Sequence, residues 1–193
     1  MKEETKKKPK LSVCVVSYNQ DKYIEQCLLS IAEQETDFEF EIIISDDCSN
    51  DGTREKIIDI AEKFPGRFRL FLHNANMGPF KNGLFVHQQA CGEYIAHLDG
   101  DDYALPGKLQ AQVDFLDENP GCNISFHRMK IINEQKNKIM DDVDEDWIHR
   151  KLYRKDIIEL VAIGANSSKM YRKLKDSLNF PDFNIVDYTA NVI

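Results

Sequence analysis

Short runs of β-branched and apolar residues recur along this chain, and segments with apolar residues at helical spacing separate them. That alternation restricts the fold more than any other feature of the sequence. Residues 11–17 form the first run and read as a buried strand. After Asn19, Gln20 and Asp21, the residues Tyr23, Ile24, Cys27, Leu28 and Ile31 put one apolar face on a helix reaching about residue 34. Residues 38–44 read as a second strand, closed by a run from Ser45 to Gly52 that is dense in turn residues. Ile57, Ile58, Ala61 and Phe64 mark a second helix, which Pro65 and Gly66 end. The pattern continues with a strand over 67–72, a helix over 79–90 and a strand over 93–98. A helix opened by Pro106 then runs to about Asn119, and a fifth strand is expected over 122–132.

Strands and helices in this order predict an α/β fold, with a mostly parallel central sheet flanked by helices on both faces. Right-handed crossovers align the C-terminal ends of the strands along one edge, where ligands of open α/β sheets bind. Three loops fall there, at 17–19, 46–47 and 99–102. They carry five carboxylates: Asp46, Asp47, Asp99, Asp101 and Asp102. Beyond Asn133 the periodicity weakens, and Asp141, Asp142, Asp144, Glu145 and Asp146 lead up to Trp147. An exposed acidic loop is the plain reading of that stretch, and a flap over the ligand is the alternative.

Length and charge narrow the classes of function. A chain of 193 residues is about one domain with additions. Residues 1–10 are expected to be a basic disordered leader, and 11–193 a single catalytic domain. The leader sets five lysines against Glu3 and Glu4 for a net +3, while the whole chain carries −8. An acidic chain of this kind is not expected to bind nucleic acid. The leader reads as a solvated tail, or as a contact with anionic lipid headgroups at the inner face of a membrane. No run approaches the ~20 apolar residues of a membrane span, and no secretory leader opens the chain. Cys14, Cys27, Cys48, Cys91 and Cys122 are odd in number and lack metal-binding spacing. They fit free thiols in a reducing cytoplasm.

Carboxylates gathered at one sheet edge need a cation or hydrogen-bond donors to neutralise them. Asp99, Gly100 and Asp101 place two carboxylates on one tight turn, and hard oxygen donors suit Mg²⁺ or Mn²⁺. Asp51 and Thr53 lie nearer the second helix than Asp46 and Asp47, so they are the expected caps. That leaves Asp46 and Asp47 free for a ligand; a carboxylate can accept the N3–H of uracil, and the ring of Tyr18 can stack on a base. The loop after the first strand lacks a phosphate-cradling glycine pattern. Phosphates are therefore expected to be held through a metal. His73, His87, His97, His127 and His149 show no metal-ligand spacing and read as structural or surface residues.

Four fragments occur here in a specific order. They are residues 12–19, residues 41–53, Asn76-Met77-Gly78 with Asn82, and residues 92–103 followed by Pro106. Together they resemble glycosyltransferase family 2, the inverting GT-A group that uses nucleotide-diphosphate sugars, over about residues 11–190. The resemblance implies a Rossmann-like GT-A sheet and a metal-dependent transferase, acting in bacterial polysaccharide or cell-surface glycan synthesis. It implies that Ser17, Tyr18 and Asn19 line the base pocket, and that Asp46 or Asp47 bonds the uracil edge. Lys81 or Asn82 lies near the nucleotide, and Asp99 lies near the ribose. Asp101 is implied as the direct ligand of Mn²⁺ or Mg²⁺, with Asp99 and Asp102 assisting. Asp187 matches the later catalytic base, although Val186 stands where an acid is common; Asp182 is the fallback. Residues 164–172 resemble the strand before that base. The donor implied is a UDP-sugar and the acceptor a glycan or lipid-linked hydroxyl, with the enzyme cytoplasmic or peripheral at the membrane. Family members usually continue beyond the point matching Ile193, so the acceptor side is expected to be incomplete here. The alternative function is a non-catalytic nucleotide-sugar-binding module. A nucleotidyltransferase would want a basic glycine-rich loop after the first strand, and a phospho-receiver domain an acidic pair there; Ser17-Tyr18-Asn19 is neither.

Overall fold

The computed structural model describes residues 8–133, 138–141 and 165–173. In chain order its elements are β1 (Leu11–Ser17), α1 (Ile24–Ala32), β2 (Phe40–Asp46), α2 (Thr53–Lys63), β3 (Phe68–Leu72), α3 (Pro79–Gln89), β4 (Tyr94–Asp99) and α4 (Lys108–Glu118). There follow β5 (Ile124–Ser125), β6 (Lys130–Asn133), β7 (Lys138–Asp141), a 3-10 turn at Asn166–Ser168 and β8 (Met170–Arg172). Six strands form one sheet in the order β3-β2-β1-β4-β8-β5. The first four run parallel, and β8 lies antiparallel between β4 and β5.

The period-2 geometry of a strand divides the core between two faces. Val13, Val15, Ile42, Ile44, Ala96 and Leu98 pack with Ile24 and Leu28 of α1, Ile57 and Ile60 of α2, and Leu109, Val113 and Leu116 of α4. The intervening residues Cys14, Ile43 and Ile95 point the other way, onto Val86 of α3 and onto Ala90. The central strands are therefore apolar on both sides, as a covered parallel sheet requires. The expected mostly parallel sheet with helices on both faces is present, the four helices of the described residues being divided three to one between those faces.

Boundaries differ from expectation where polar residues stay in the ladder. Apolar content ends at Ile44, yet β2 continues to Asp46 because Ser17 pairs with Asp46 across β1. In the same way β4 takes in Asp99, paired with Val16. Both acidic turns thus begin inside strands. The single strand expected over 122–132 is divided. Only Ile124 and Ser125 join the sheet, at its edge, while β6 pairs antiparallel with β7 in a separate two-stranded ribbon. Ile131 and Ile132 are exposed there, so their apolar character does not mark sheet burial. The strand read by resemblance over 164–172 shrinks to Met170–Arg172 behind the 3-10 turn.

The order of the sheet positions the site. From β1 the chain winds outward through β2 and β3, then returns to lay β4 on the other side of β1. Strand order therefore reverses between β1 and β4, and a crevice opens at their C-terminal ends. Ser17-Tyr18-Asn19 and Asp99 to Asp102 flank that crevice. Near the opposite edge Lys10 bonds Glu93 at 3.2 Å and Asp117 at 3.0 Å, which ties the end of the basic leader to the sheet. Among the described residues no helix is long and apolar enough to cross a membrane.

Candidate functional site

Three loops at the crevice are fastened to one another. Asn19 adopts a left-handed backbone, φ 53°, which asparagine tolerates better than most residues. Its N–H donates to Ser49 Oγ at 2.9 Å, and its side-chain oxygen accepts the N–H of Asn50 at 3.0 Å. Next along, the N–H of Gln20 donates to Thr53 Oγ1 and that of Asp21 to Asp51. Asp51 also accepts the N–H of Thr53 at 3.1 Å and so steadies the start of α2, but the N-cap itself is Gly52 rather than the expected Asp51 or Thr53. Tyr18 stands at the rim, 48% exposed, with its ring available to stack.

Asp46 and Asp47 are not free side chains. Asp46 is fully buried and accepts from Ser17 Oγ at 3.2 Å, Ser49 Oγ at 2.5 Å and the Ser49 N–H at 3.1 Å. Arg54 completes the set, donating to Asp46 Oδ2 from Nε at 3.1 Å and Nη2 at 2.9 Å, and to the His73 carbonyl from Nη2 at 2.5 Å. Asp47 is also buried; it takes the N–H groups of Met77 at 2.8 Å and Gly78 at 2.9 Å and so holds the loop that opens α3. Arg54→Ala should lower unfolding stability by about 3 kcal/mol, because it leaves a buried carboxylate without its cation. Urea unfolding checks this, and a loss under ~0.5 kcal/mol would show that the serines suffice.

The second wall is the turn after β4. The Gly100 N–H donates to the Val16 carbonyl at 2.9 Å and continues the β1–β4 ladder past Asp99. A Cβ at Gly100 would come within 2.2 Å of Gln20 Oε1 and 3.0 Å of the Val16 carbonyl, so any larger residue would have to displace the Gln20 side chain and crowd the β1 backbone. Asp99 Oδ1 lies 3.1 Å from His97 Nε2. Ser167 Oγ accepts the Asp99 N–H at 2.9 Å and donates to Oδ2 at 3.4 Å. Burial raises the Asp99 carboxyl, but bonding and charge from His97, with smaller help from Ser167 and Lys169, hold it below its ordinary value. Burial, then the charges of Asp99 and Asp101, raise Asp102 despite a bond from Ser167. Lys108 of α4 donates to the Ser167 carbonyl at 2.9 Å, and burial lowers its amine to about 8.

This turn fits a hard divalent cation in its donor chemistry: oxygen ligands only, with a carboxyl pushed up by burial and then by its neighbours' charge. Among the described residues no three His, Cys, Asp or Glu side chains form a ready-made cage. Mg²⁺ sites draw one or two carboxylates from the protein and complete their shell with phosphate and water. Asp101 is exposed, whereas both oxygens of Asp99 already have protein partners.

The structure therefore gathers Ser17, Tyr18, Asn19, Asp99, Asp101 and Asp102 at one crevice, with Asp46 and Asp47 beneath it. Lys81 is exposed on α3. Asn82 is buried and turned inward, accepting from Ser45 Oγ at 2.5 Å and donating to the Ser45 carbonyl at 3.0 Å. Asp182, Asp187 and the acidic stretch from Asp142 to Trp147 lie outside the described residues. Sequence reasoning missed Arg54, Ser167 and the two histidines behind Asp99. His97 had a signal, since a residue two positions before Asp99 on a strand shares its face; Ser167 had none.

Comparison with known proteins places these features in context. The family model described as glycosyl transferase family 2 matches residues 12–177. The uncharacterized protein Rv1520 of Mycobacterium tuberculosis is 40% identical over 138 residues, 71% of this chain and 40% of its own length. The poly(ribitol-phosphate) beta-N-acetylglucosaminyltransferase TarS of Staphylococcus aureus is 36% identical over 130 residues, 64% of this chain and 22% of TarS. The crystal structure of TarS residues 1–349 in complex with UDP-GlcNAc superposes with a TM-score of 0.73 at 28% identity, covering 95% of this chain and 52% of that one. This chain thus spans less than half the length of these two curated relatives.

Proposed function

The chain belongs to glycosyl transferase family 2, and from that premise we propose that it transfers a sugar from a UDP-sugar to an acceptor hydroxyl in cell-surface glycan synthesis. One observation carries this reading: the β1 loop and the Asp99–Asp102 turn meet where strand order reverses. The structural neighbour holding UDP-GlcNAc and the relative named as an N-acetylglucosaminyltransferase support the choice of donor.

In this reading Ser17, Tyr18 and Asn19 line the base pocket, with Tyr18 stacking on the base and Asp46 or Asp47 below its edge. Lys81, exposed on α3, lies toward the nucleotide, whereas Asn82 is turned inward onto Ser45. Asp99 faces the ribose, and Asp101, assisted by Asp99 and Asp102, holds Mn²⁺ or Mg²⁺. When bound, that ion supplies charge neutralisation for the departing nucleoside diphosphate. Asp187 removes the proton from the acceptor hydroxyl as that oxygen attacks the anomeric carbon with inversion. The acceptor is a glycan or lipid-linked hydroxyl on the cytoplasmic side, reached from a single domain over residues 11–193; the net +3 charge of residues 1–10 suits either a solvated tail or anionic headgroups.

A thermal-shift panel of nucleotide-sugars with and without Mn²⁺ tests the donor site. A ligand at 100 times its Kd adds about 2.7 kcal/mol of stability, so UDP-sugars with Mn²⁺ should raise Tm clearly. A flat panel would defeat the reading. Binding without release of UDP in a donor-hydrolysis assay would instead make the chain a non-catalytic module.

A further inference from the structure

Behind Asp99 runs a half-buried chain of hydrogen bonds that nucleotide binding leaves unexplained. His97 Nε2 lies 3.1 Å from Asp99 Oδ1, and His97 Nδ1 lies 2.9 Å from His87 Nε2. His87 Nδ1 meets the hydroxyl of Tyr171. The ring of His87 stacks on that of Tyr171, with centroids 5.8 Å apart, and tilts against that of His97 at 5.1 Å. The chain joins α3, β4 and β8, beside an apolar layer of Cys14, Ile43, Val86, Ala90 and Ile95. Polar groups in such a layer are costly unless each is satisfied.

Donor counting fixes the end of the chain that meets Asp99. Burial, with the charge of His97 second, lowers His87 to about 3, so its ring is neutral and has one N–H. If that proton is on Nε2, it is donated to His97 Nδ1, and the Tyr171 hydroxyl donates to His87 Nδ1. A neutral His97 must then carry its own proton on Nε2, facing Asp99. If the proton of His87 is on Nδ1, His97 has to donate from Nδ1, and a bare Nε2 would face a carboxylate oxygen, acceptor against acceptor. Only a doubly protonated His97 resolves that arrangement. Every satisfied arrangement therefore aims an N–H of His97 at Asp99.

We propose that the Tyr171–His87–His97 relay is a positioning device, which locks the Asp99 carboxylate in the orientation that receives the nucleotide and its cation. Ser167 Oγ lies 3.4 Å from the other oxygen, so both edges of the carboxylate have a partner on the protein side. His97 is a positioning residue, since it acts through Asp99. The nucleotide part of the proposal rests on the donor-site reading above.

Two measurements test it. In ¹⁵N–¹H spectra of the imidazoles, His97 should show a protonated Nε2 in the full chain without ligand; a bare Nε2 would overturn the relay. Calorimetry with UDP and Mn²⁺ should find affinity about tenfold weaker in His97→Phe, the value of a hydrogen bond to a charged group. His97→Gln, whose amide N–H extends toward the same oxygen, should restore affinity to within about threefold of wild type, which a packing role would not produce. Wild-type affinity in a folded His97→Phe overturns the proposal. Should that variant not fold, Tyr171→Phe decides: it leaves His87 free to change tautomer, and an unmoved His97 imidazole signal counts against the relay. A wild-type chain that takes up no UDP defeats the donor-site reading, while the imidazole spectrum still decides the relay.

Discussion

Asp101→Ala should abolish Mn²⁺-supported UDP binding and turnover together, with affinity in the presence of the ion falling by more than ~100-fold. Loss of a partner one step removed from a metal already costs about 10–100-fold, and loss of a ligand costs more. Asp101 is exposed on its turn, so its removal should change stability by no more than about 0.5 kcal/mol. The same substitution at Asp99 could not be read so cleanly, because it would also leave His97 and Ser167 without their acceptor. Calorimetry with UDP, run with and without Mn²⁺, isolates the effect: the variant should bind the two preparations alike. A variant whose affinity still rises with Mn²⁺ would remove Asp101 from the metal site, whatever its activity.

The division between legible and hidden features follows from how each is encoded. β1 is visible because five of its seven residues are apolar, spread over both faces, and turn formers follow it. The acidic turn after β4 is visible because Asp99, Asp101 and Asp102 are adjacent in sequence. Local arrangements of this kind are carried by periodicity and spacing. Asp46 and Asp47 were legible as a pair, but not in their state. Their partners Arg54, Met77 and Gly78 come from α2 and the loop before α3, up to 31 residues away. The edge of the sheet failed for a related reason. β5 is held by β8, more than forty residues further along, and a two-residue strand has no period to detect. The support of Asp99 is likewise assembled from distant parts, since Ser167 and Tyr171 enter only because β8 pairs with β4. A topology of this type brings donors from late in the chain to a motif from its middle, and no spacing rule announces them.

Asp187→Asn should cut turnover by about 10²–10⁴-fold, the usual contribution of a general base, while UDP affinity with Mn²⁺ stays unchanged. An acceptor hydroxyl is a poor nucleophile until its proton is removed, and the metal-side carboxylates cannot serve. Asp99 is paired with His97 and Ser167, and in the proposed reading Asp101 and Asp102 would hold the ion on the side of the leaving group. A carboxylate from a separate part of the chain has to take the proton, and asparagine keeps its shape while losing its basicity. Single-turnover rates and calorimetry on Asp187→Asn and Asp182→Asn separate the candidates. A rate loss confined to Asp182→Asn would move the base to that residue. A loss of UDP affinity in Asp187→Asn matching its loss of rate would show that Asp187 serves the donor and not the acceptor.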